Sequence, residues 1–145
     1  MPPPRLPLLV VEDSDEDFDT VKEALAKADL RVDIRRSVSG EDCLALLRGV
    51  DGPRPALVLM DLNMPGVDGR ETLTRIKSDA LLKKLPVVVF TTSSSEADLE
   101  FCYGAGANAY HVKPVRYPDH LELLITLLKY WLAEIELPNH PGPLT

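Results

Sequence analysis

Apolar runs and helical stripes alternate along the whole chain. Leu8 to Val11 is a short apolar run; Phe18, Val21, Leu25 and Ala28 then recur at spacings of three and four, so a strand is followed by a helix. Val32 to Val38 has the β-branched alternation of a second strand. Ser39, with Asp42 three positions on, suits the start of a helix through Leu44, Leu46 and Leu47, and Gly49, Gly52 and Pro53 stop it. Ala56 to Met60 is a third apolar run, Arg70 to Lys77 a third helix, and Pro86 to Phe90 a fourth, valine-rich strand. A fourth helix from Glu96 to Tyr103 is closed by Gly104 and Gly106. Asn108 to Val112 reads as a fifth strand, and Pro118 sits where the first turn of a last helix tolerates proline.

Strands that alternate with helices predict an α/β fold with a parallel sheet sandwiched by helices, because each parallel crossover needs a helix. The 145 residues suit one domain with one continuous core. We assign residues 1–5 to a flexible N-terminus, 6–136 to the folded domain and 137–145 to a C-terminal tail, the proline-rich ends being the parts expected to be disordered.

Composition narrows the function classes. With 45% hydrophobic and 27% charged residues, the chain has the make-up of a soluble globular protein. The longest apolar runs, Leu85 to Phe90 and Leu121 to Leu128, fall well short of the roughly 18 residues of a membrane span. Met1 is followed by Pro2, Pro3, Pro4 and Arg5, which is no signal peptide, so the expected location is cytoplasmic. A net charge of -7 argues against nucleic-acid binding, which depends on neutralising phosphates with Lys and Arg. Cys43 and Cys102 lack metal-ligand spacing and read as small, half-buried helix residues.

In an open parallel sheet, ligands bind outside the carboxyl ends of the strands, so the residues where each apolar run stops carry the information. The first run ends in Glu12 and Asp13, the third in Asp61, the fourth in Thr91 and Thr92, and the fifth in Lys113 before Pro114. Three carboxylates, hydroxyls and an ammonium group thus converge on one crevice. Carboxylates so gathered need a cation, and an all-oxygen set with spare positions suits a hard octahedral ion such as Mg²⁺. Asp13 and Asp61 are the expected direct ligands, the backbone carbonyl of Asn63 a third, and Glu12 a ligand directly or through water. A carboxylate can also attack phosphorus, with the metal and Lys113 neutralising the transferred oxygens and Thr91 hydrogen-bonding one of them.

These residues resemble a known family, the response regulator receiver domains, over roughly residues 6 to 136. The likeness rests on Val10, Val11, Glu12 and Asp13, and on the run from Leu59 through Asp61, Asn63, Met64, Pro65, Gly66, Val67 and Asp68 to Gly69. Thr91, and Tyr110, His111, Val112, Lys113 and Pro114, follow in the family's order. The resemblance implies a doubly wound, flavodoxin-like fold of five parallel strands in the order 2-1-3-4-5 with five helices. It implies that Asp61 accepts a phosphoryl group from a histidine kinase, that Lys113 contacts that group, and that Thr91 and Tyr110 report phosphorylation to the surface. It also implies a signalling domain that assists its own Mg²⁺-dependent phosphorylation and dephosphorylation rather than an enzyme proper, with Asn63 and Ser93 tuning the decay.

The family most often has Asp where this chain has Glu12, and an aromatic where it has Val115; a longer carboxylate still reaches a metal-bound water. About thirty residues follow Pro114, which leaves no room for an output domain, so the expected output is a binding surface. In the last helix Leu121, Leu124, Ile125, Leu128, Leu132 and Ile135 make one apolar stripe, and Leu123, Leu127, Tyr130 and Trp131 a second. About 20 helical residues span about 30 Å, longer than a typical strand, so the end near Trp131 is expected to project. Leu127, Tyr130 and Trp131 are the expected interface of a homodimer. Glu12-Asp13-Ser14, Phe90 to Ser95, and the ending from Tyr130-Trp131-Leu132 to Leu137-Pro138 are similar to regulators paired with phytochrome-type histidine kinases, which implies such a kinase as donor.

Blander readings stand beside these. Asp61 read alone is a turn residue, Lys113 a solvated strand end and Tyr110 an ordinary core aromatic. His111, His120 and His140 read as surface or hydrogen-bonded histidines. Asp15, Glu16, Asp17 and Asp19 read as a solvated helix start favoured by the dipole, with Asp15 near enough to shape the crevice. A flavin module would need a Gly- and Ser-rich phosphate loop where Glu12 to Asp17 stand, and an Asp-nucleophile phosphatase would carry its motif after the first strand. The remaining alternative is a non-phosphorylated pseudo-receiver acting as an interaction module, which would be expected to lack the acceptor or the lysine.

Overall fold

The computed structural model describes residues 6–49, 54–66 and 68–138. Residues 1–5, Gly52, Pro53, Val67, His140 and residues 139–145 of the expected tail lie outside the described residues. The chain runs β1 (Leu6–Val11), α1 (Asp15–Lys27), β2 (Val32–Ser37), α2 (Gly40–Arg48), β3 (Leu57–Met60), α3 (Gly69–Ser78), β4 (Val87–Thr91), α4 (Glu96–Ala105), β5 (Ala109–Val112) and α5 (Tyr117–Lys129). All strand pairs are parallel, and the order β2-β1-β3-β4-β5 is the one the resemblance implied.

Alternation along the three central strands splits the core in two. Leu9 and Val11, Val58 and Met60, and Val87 and Val89 face Leu44 and Leu47 of α2, Leu73 and Ile76 of α3, and Cys102 of α4. Leu8 and Val10, Leu57 and Leu59, and Val88 and Phe90 face Val21 and Leu25 of α1 and Leu124 and Leu128 of α5. A fully buried leucine such as Leu124 contributes about 1.5–3 kcal/mol, so these two layers hold the sheet rigid beneath its carboxyl edge. Burial on both faces holds only for these central strands. The edge strands β2 and β5 are half-buried along most of their length. Cys43 and Cys102 are fully buried in the first layer rather than half-buried.

Local chemistry sets the helix starts. Ser14, Ser39 and Ser95 each cap a helix by accepting from the backbone N–H three residues on, and Asp68 caps α3 through the N–H groups of Arg70 and Glu71. Asp42 turns back over the start of α2, but it accepts from the Val38 N–H at 3.3 Å, one residue before the Ser39 cap, rather than from the N–H of the cap itself. Gly69, first in α3, packs against the backbone that follows β3. A Cβ there would lie 2.4 Å from the Asp61 carbonyl oxygen and 2.7 Å from Leu62 Cα, so only glycine lets α3 press on this segment.

The last helix departs from the expected straight, projecting rod. α5 passes into a π-helical turn over Tyr130–Glu134, whose wider winding shifts the phase of the side chains that follow. Leu132 is thereby buried and Trp131 packs on the same layer. Leu127, expected at an interface, is 3% exposed inside the core, because the stripe it shares with Leu124 and Leu128 is the one facing the sheet. Of the three expected interface residues, Tyr130 alone is openly exposed. Among the described residues no helix is long and apolar enough to cross a membrane.

Candidate functional site

The sheet's register delivers the site. Val11 pairs with Met60 and Met60 with Val89, so β1 and β3 end level while β4 runs two residues further and carries Thr91 to the crevice. The hydrogen-bond ladder then continues one residue further: Glu12 N–H donates to the Ser37 carbonyl at 2.9 Å, Asp61 N–H to the Val11 carbonyl at 3.0 Å, and Lys113 N–H to the Thr91 carbonyl at 2.6 Å. Backbone pairing therefore fixes Glu12, Asp61 and Lys113 as firmly as the strands themselves.

Glu12, Asp61, Thr91 and Lys113 are buried, while Asp13 is exposed. The Lys113 ammonium donates to Glu12 Oε1 at 2.6 Å, Asp17 Oδ2 at 2.7 Å and Asp61 Oδ2 at 3.1 Å. The second oxygen of Asp61 accepts from the Asn63 N–H at 3.2 Å. The Asn63 side chain donates to the Thr91 and Thr92 hydroxyls at 3.4 Å each, which joins the β3 and β4 loops across the crevice.

Glu12, Asp13 and Asp61 each offer a carboxylate oxygen within 4.8 Å of the others, a set that could hold a divalent cation. Charge supports the fit. Burial lifts the Glu12 carboxyl to about 7, against the pull of Lys113 and with Asp61 adding to the rise. Burial pushes Lys113 down, but Glu12, Asp17 and Asp61 outweigh it and its ammonium ends above the ordinary lysine value. One ammonium among four carboxylates leaves a negative surplus that a cation would balance.

Glu12, Asp13, Asp61, Asn63, Thr91 and Lys113 thus meet at one place, and two other residues depart from expectation. Asp15, expected near the crevice, instead pairs with Arg36 at 2.7 Å with its side chain 87% exposed, and Asp17 enters the site in its stead. His120, expected at the surface or hydrogen-bonded, is buried edge-on against Phe90 with no partner for Nε2 among the described residues, and burial lowers its pKa.

Residues 8–125 match the response regulator receiver domain family. The chain belongs to that family. It is 36% identical over 140 residues to response regulator Rcp1 of Synechocystis sp., across 94% of this chain and 95% of Rcp1. Among solved structures, the phosphorylated cyanobacterial phytochrome response regulator RcpA superposes with a TM-score of 0.88 at 34% identity, covering 93% of this chain and 99% of that one. The Mn²⁺-bound form of Rcp1 gives 0.88 at 35% identity with the same coverage. The receiver family is one of signalling domains rather than enzymes, and the fold class stands as expected.

A second network in this receiver escaped the sequence. Tyr110, half-buried on β5, donates its hydroxyl to the Ser93 carbonyl at 2.9 Å, and the Ser93 hydroxyl donates to Asp98 Oδ2 at 2.6 Å. Arg70 of α3 clasps Asp98 with two bonds of 2.7 Å and also reaches Asp68, the cap of its own helix. The loop after β4 is thus tied to α3, α4 and β5 together. Bonds between residues 28 apart leave no local signal in a sequence.

Arg70 first, and then the Ser93 hydroxyl, hold the Asp98 carboxyl at about 2, well below the usual range. A carboxylate with a depressed folded pKa contributes stability above its unfolded pKa and loses it as pH falls through the folded value. Asp98→Asn is expected to cost about 1 kcal/mol at neutral pH after allowance for solvent screening, and progressively less as pH falls from about 4 towards 2. Urea denaturation at neutral pH and near pH 2 measures this; an equal penalty at both would contradict the pairing.

Proposed function

We propose that Asp61 is the phosphoryl acceptor of a two-component relay and that this receiver signals by changing the shape of a protein-binding surface. The observation that carries this is the Lys113 ammonium held 3.1 Å from Asp61 Oδ2, with Asp61, Glu12 and Asp13 offering carboxylate oxygens within 4.8 Å of one another. A carboxylate oxygen of Asp61 attacks phosphorus, the bond from phosphorus to the donor histidine nitrogen breaks, and the imidazole leaves with its electron pair. Lys113 and the Thr91 hydroxyl meet the charge on the transferred oxygens. Glu12, Asp13, Asp61 and the backbone carbonyl of Asn63 would hold Mg²⁺, which when bound supplies positive charge to those same oxygens.

The donor is a sensor histidine kinase in the cytoplasm, of phytochrome type, a reading supported by the likeness to Rcp1 and RcpA. Phosphorylation adds about -1.5 to -2 charges, which draws the buried Thr91 hydroxyl towards Asp61. The loop from Thr91 to Ser93 follows, and Tyr110, bonded to the Ser93 carbonyl, moves with it. Asn63, beside that loop, and Ser93, within it, tune how fast the aspartyl phosphate is hydrolysed. A pseudo-receiver would be expected to lack the acceptor or the lysine, and this chain carries both Asp61 and Lys113.

Tyr130, exposed and stacked edge-on against Trp131 at 5.8 Å between ring centroids, is the centre of a homodimer contact at the end of α5. Tyr130→Glu is expected to shift the protein towards monomer in light scattering without lowering its thermal midpoint; an unchanged oligomer would remove this contact.

Incubation with Mg²⁺ and either acetyl phosphate or an autophosphorylated phytochrome-type kinase is expected to add one phosphoryl mass to the intact protein. The gain should disappear with chelator and in Asp61→Asn. Undiminished labelling of Asp61→Asn would sink the assignment.

A further inference from the structure

The set of residues carried over from the family leaves Asp17 without a role, yet its carboxylate lies 2.7 Å from Lys113 Nζ. That contact matches the 2.6 Å contact of Glu12 and is closer than the 3.1 Å contact of Asp61. The Asp17 side chain is 31% exposed and that of Lys113 only 3%, so Asp17 closes the ammonium's enclosure on the side nearest solvent. With Glu12 and Asp61 it lines a small cavity otherwise walled by Val10, Val11, Val21, Leu59 and Phe90.

The start of α1 frees this carboxylate for the task. Asp17 is the third residue of the helix, where an acidic side chain commonly turns back to bond the N-cap backbone N–H. In this chain the Ser14 N–H instead donates to Glu12 Oε2 at 3.1 Å, while the Ser14 hydroxyl accepts from the Asp17 N–H at 3.2 Å. Glu12 thus replaces Asp17 in the reciprocal half of the cap. The Asp17 carboxylate is released to reach from α1 to the end of β5.

An ammonium has three N–H donors, and here they are shared among Glu12, Asp17 and Asp61. Glu12 and Asp61 belong to the group that could hold the cation, whereas Asp17 does not. The donor aimed at Asp61 is the one an incoming phosphoryl oxygen would take over, so Asp17 need not be displaced. We propose that Asp17 is a positioning residue for phosphoryl transfer, which holds the Lys113 ammonium over Asp61 while the other two carboxylates are engaged by metal and phosphoryl group. This rests on the reading of Asp61 as acceptor. Without Asp17, the flexible lysine stem keeps only acceptors that the reaction itself rearranges.

The test follows labelling over time by intact mass with Mg²⁺ and acetyl phosphate, for wild type, Asp17→Ala, the isosteric Asp17→Asn, and Asp19→Ala. Asp19 is an exposed carboxylate of the same helix, paired with Lys22 at 3.4 Å, and controls for bulk charge. Mg²⁺ affinity by calorimetry and thermal midpoint are read on the same samples. The labelling rate is expected to fall by about tenfold to a hundredfold in Asp17→Ala, the usual range for losing a group that orients a functional side chain. Asp17→Asn, which keeps an oxygen acceptor, should lose less, with Mg²⁺ affinity unchanged in both and Asp19→Ala labelling like wild type. Wild-type or faster labelling in both Asp17 variants, whatever their thermal midpoints, would overturn the proposal, as would an equal slowing in Asp19→Ala. An unlabelled wild type would instead remove the reading of Asp61 beneath it.

Discussion

A buried ammonium shared among buried carboxylates is the interaction on which the rest of this receiver turns. Taking an ion out of water costs several kcal/mol even after relaxation, and Lys113, Glu12 and Asp61 are all withdrawn from it. Their mutual bonds offset part of that cost, but four carboxylates against one ammonium remain unbalanced. The site is therefore held in place by the sheet rather than by itself. Backbone bonds from Glu12 to Ser37, Asp61 to Val11 and Lys113 to Thr91 extend the ladder into the crevice, and two apolar layers keep the strands level. The negative surplus is what makes the crevice receptive to a cation, whose positive charge a transferred phosphoryl group, itself negative, would also need.

The same pocket is connected outward. Thr91 belongs to the crevice through Asn63, while Ser93, two residues on, belongs to the network of Tyr110, Asp98 and Arg70. A shift of the β4 loop cannot occur without straining bonds to α3, α4 and β5. Under the proposed phosphoryl transfer, that arrangement would couple a local charge change to the surface those elements share.

Much of this was legible in sequence because the governing signals are local. Apolar runs and stripes of period 3.6 placed every strand and the start of every helix within a residue or two, since central strands buried on both faces leave unbroken hydrophobic runs. The strand ends then named Glu12, Asp13, Asp61, Thr91 and Lys113. What stayed hidden depends on side-chain direction across the fold. Asp15 and Asp17 look alike in sequence, and only the capping of α1 decides that one faces Arg36 and the other Lys113. Leu127 looked as free as Tyr130 because the helical pattern does not say how wide the sheet-facing stripe is, and in the fold Leu127 joins Leu124 and Leu128 on it. The π-helical turn that brings Leu132 onto the core has no pattern of its own, and the Arg70 to Asp98 clasp joins helices that sequence order keeps apart.

With Asp61 as the proposed acceptor, one carboxylate among several close neighbours would become the aspartyl phosphate. Reduction of the phosphorylated protein with borohydride, followed by peptide mapping, locates an acyl phosphate because the modified aspartate is converted to homoserine. Homoserine is expected at position 61 and at no other acidic position. Homoserine at Asp13 or Asp17, or none in protein that carries the phosphoryl mass, would contradict it.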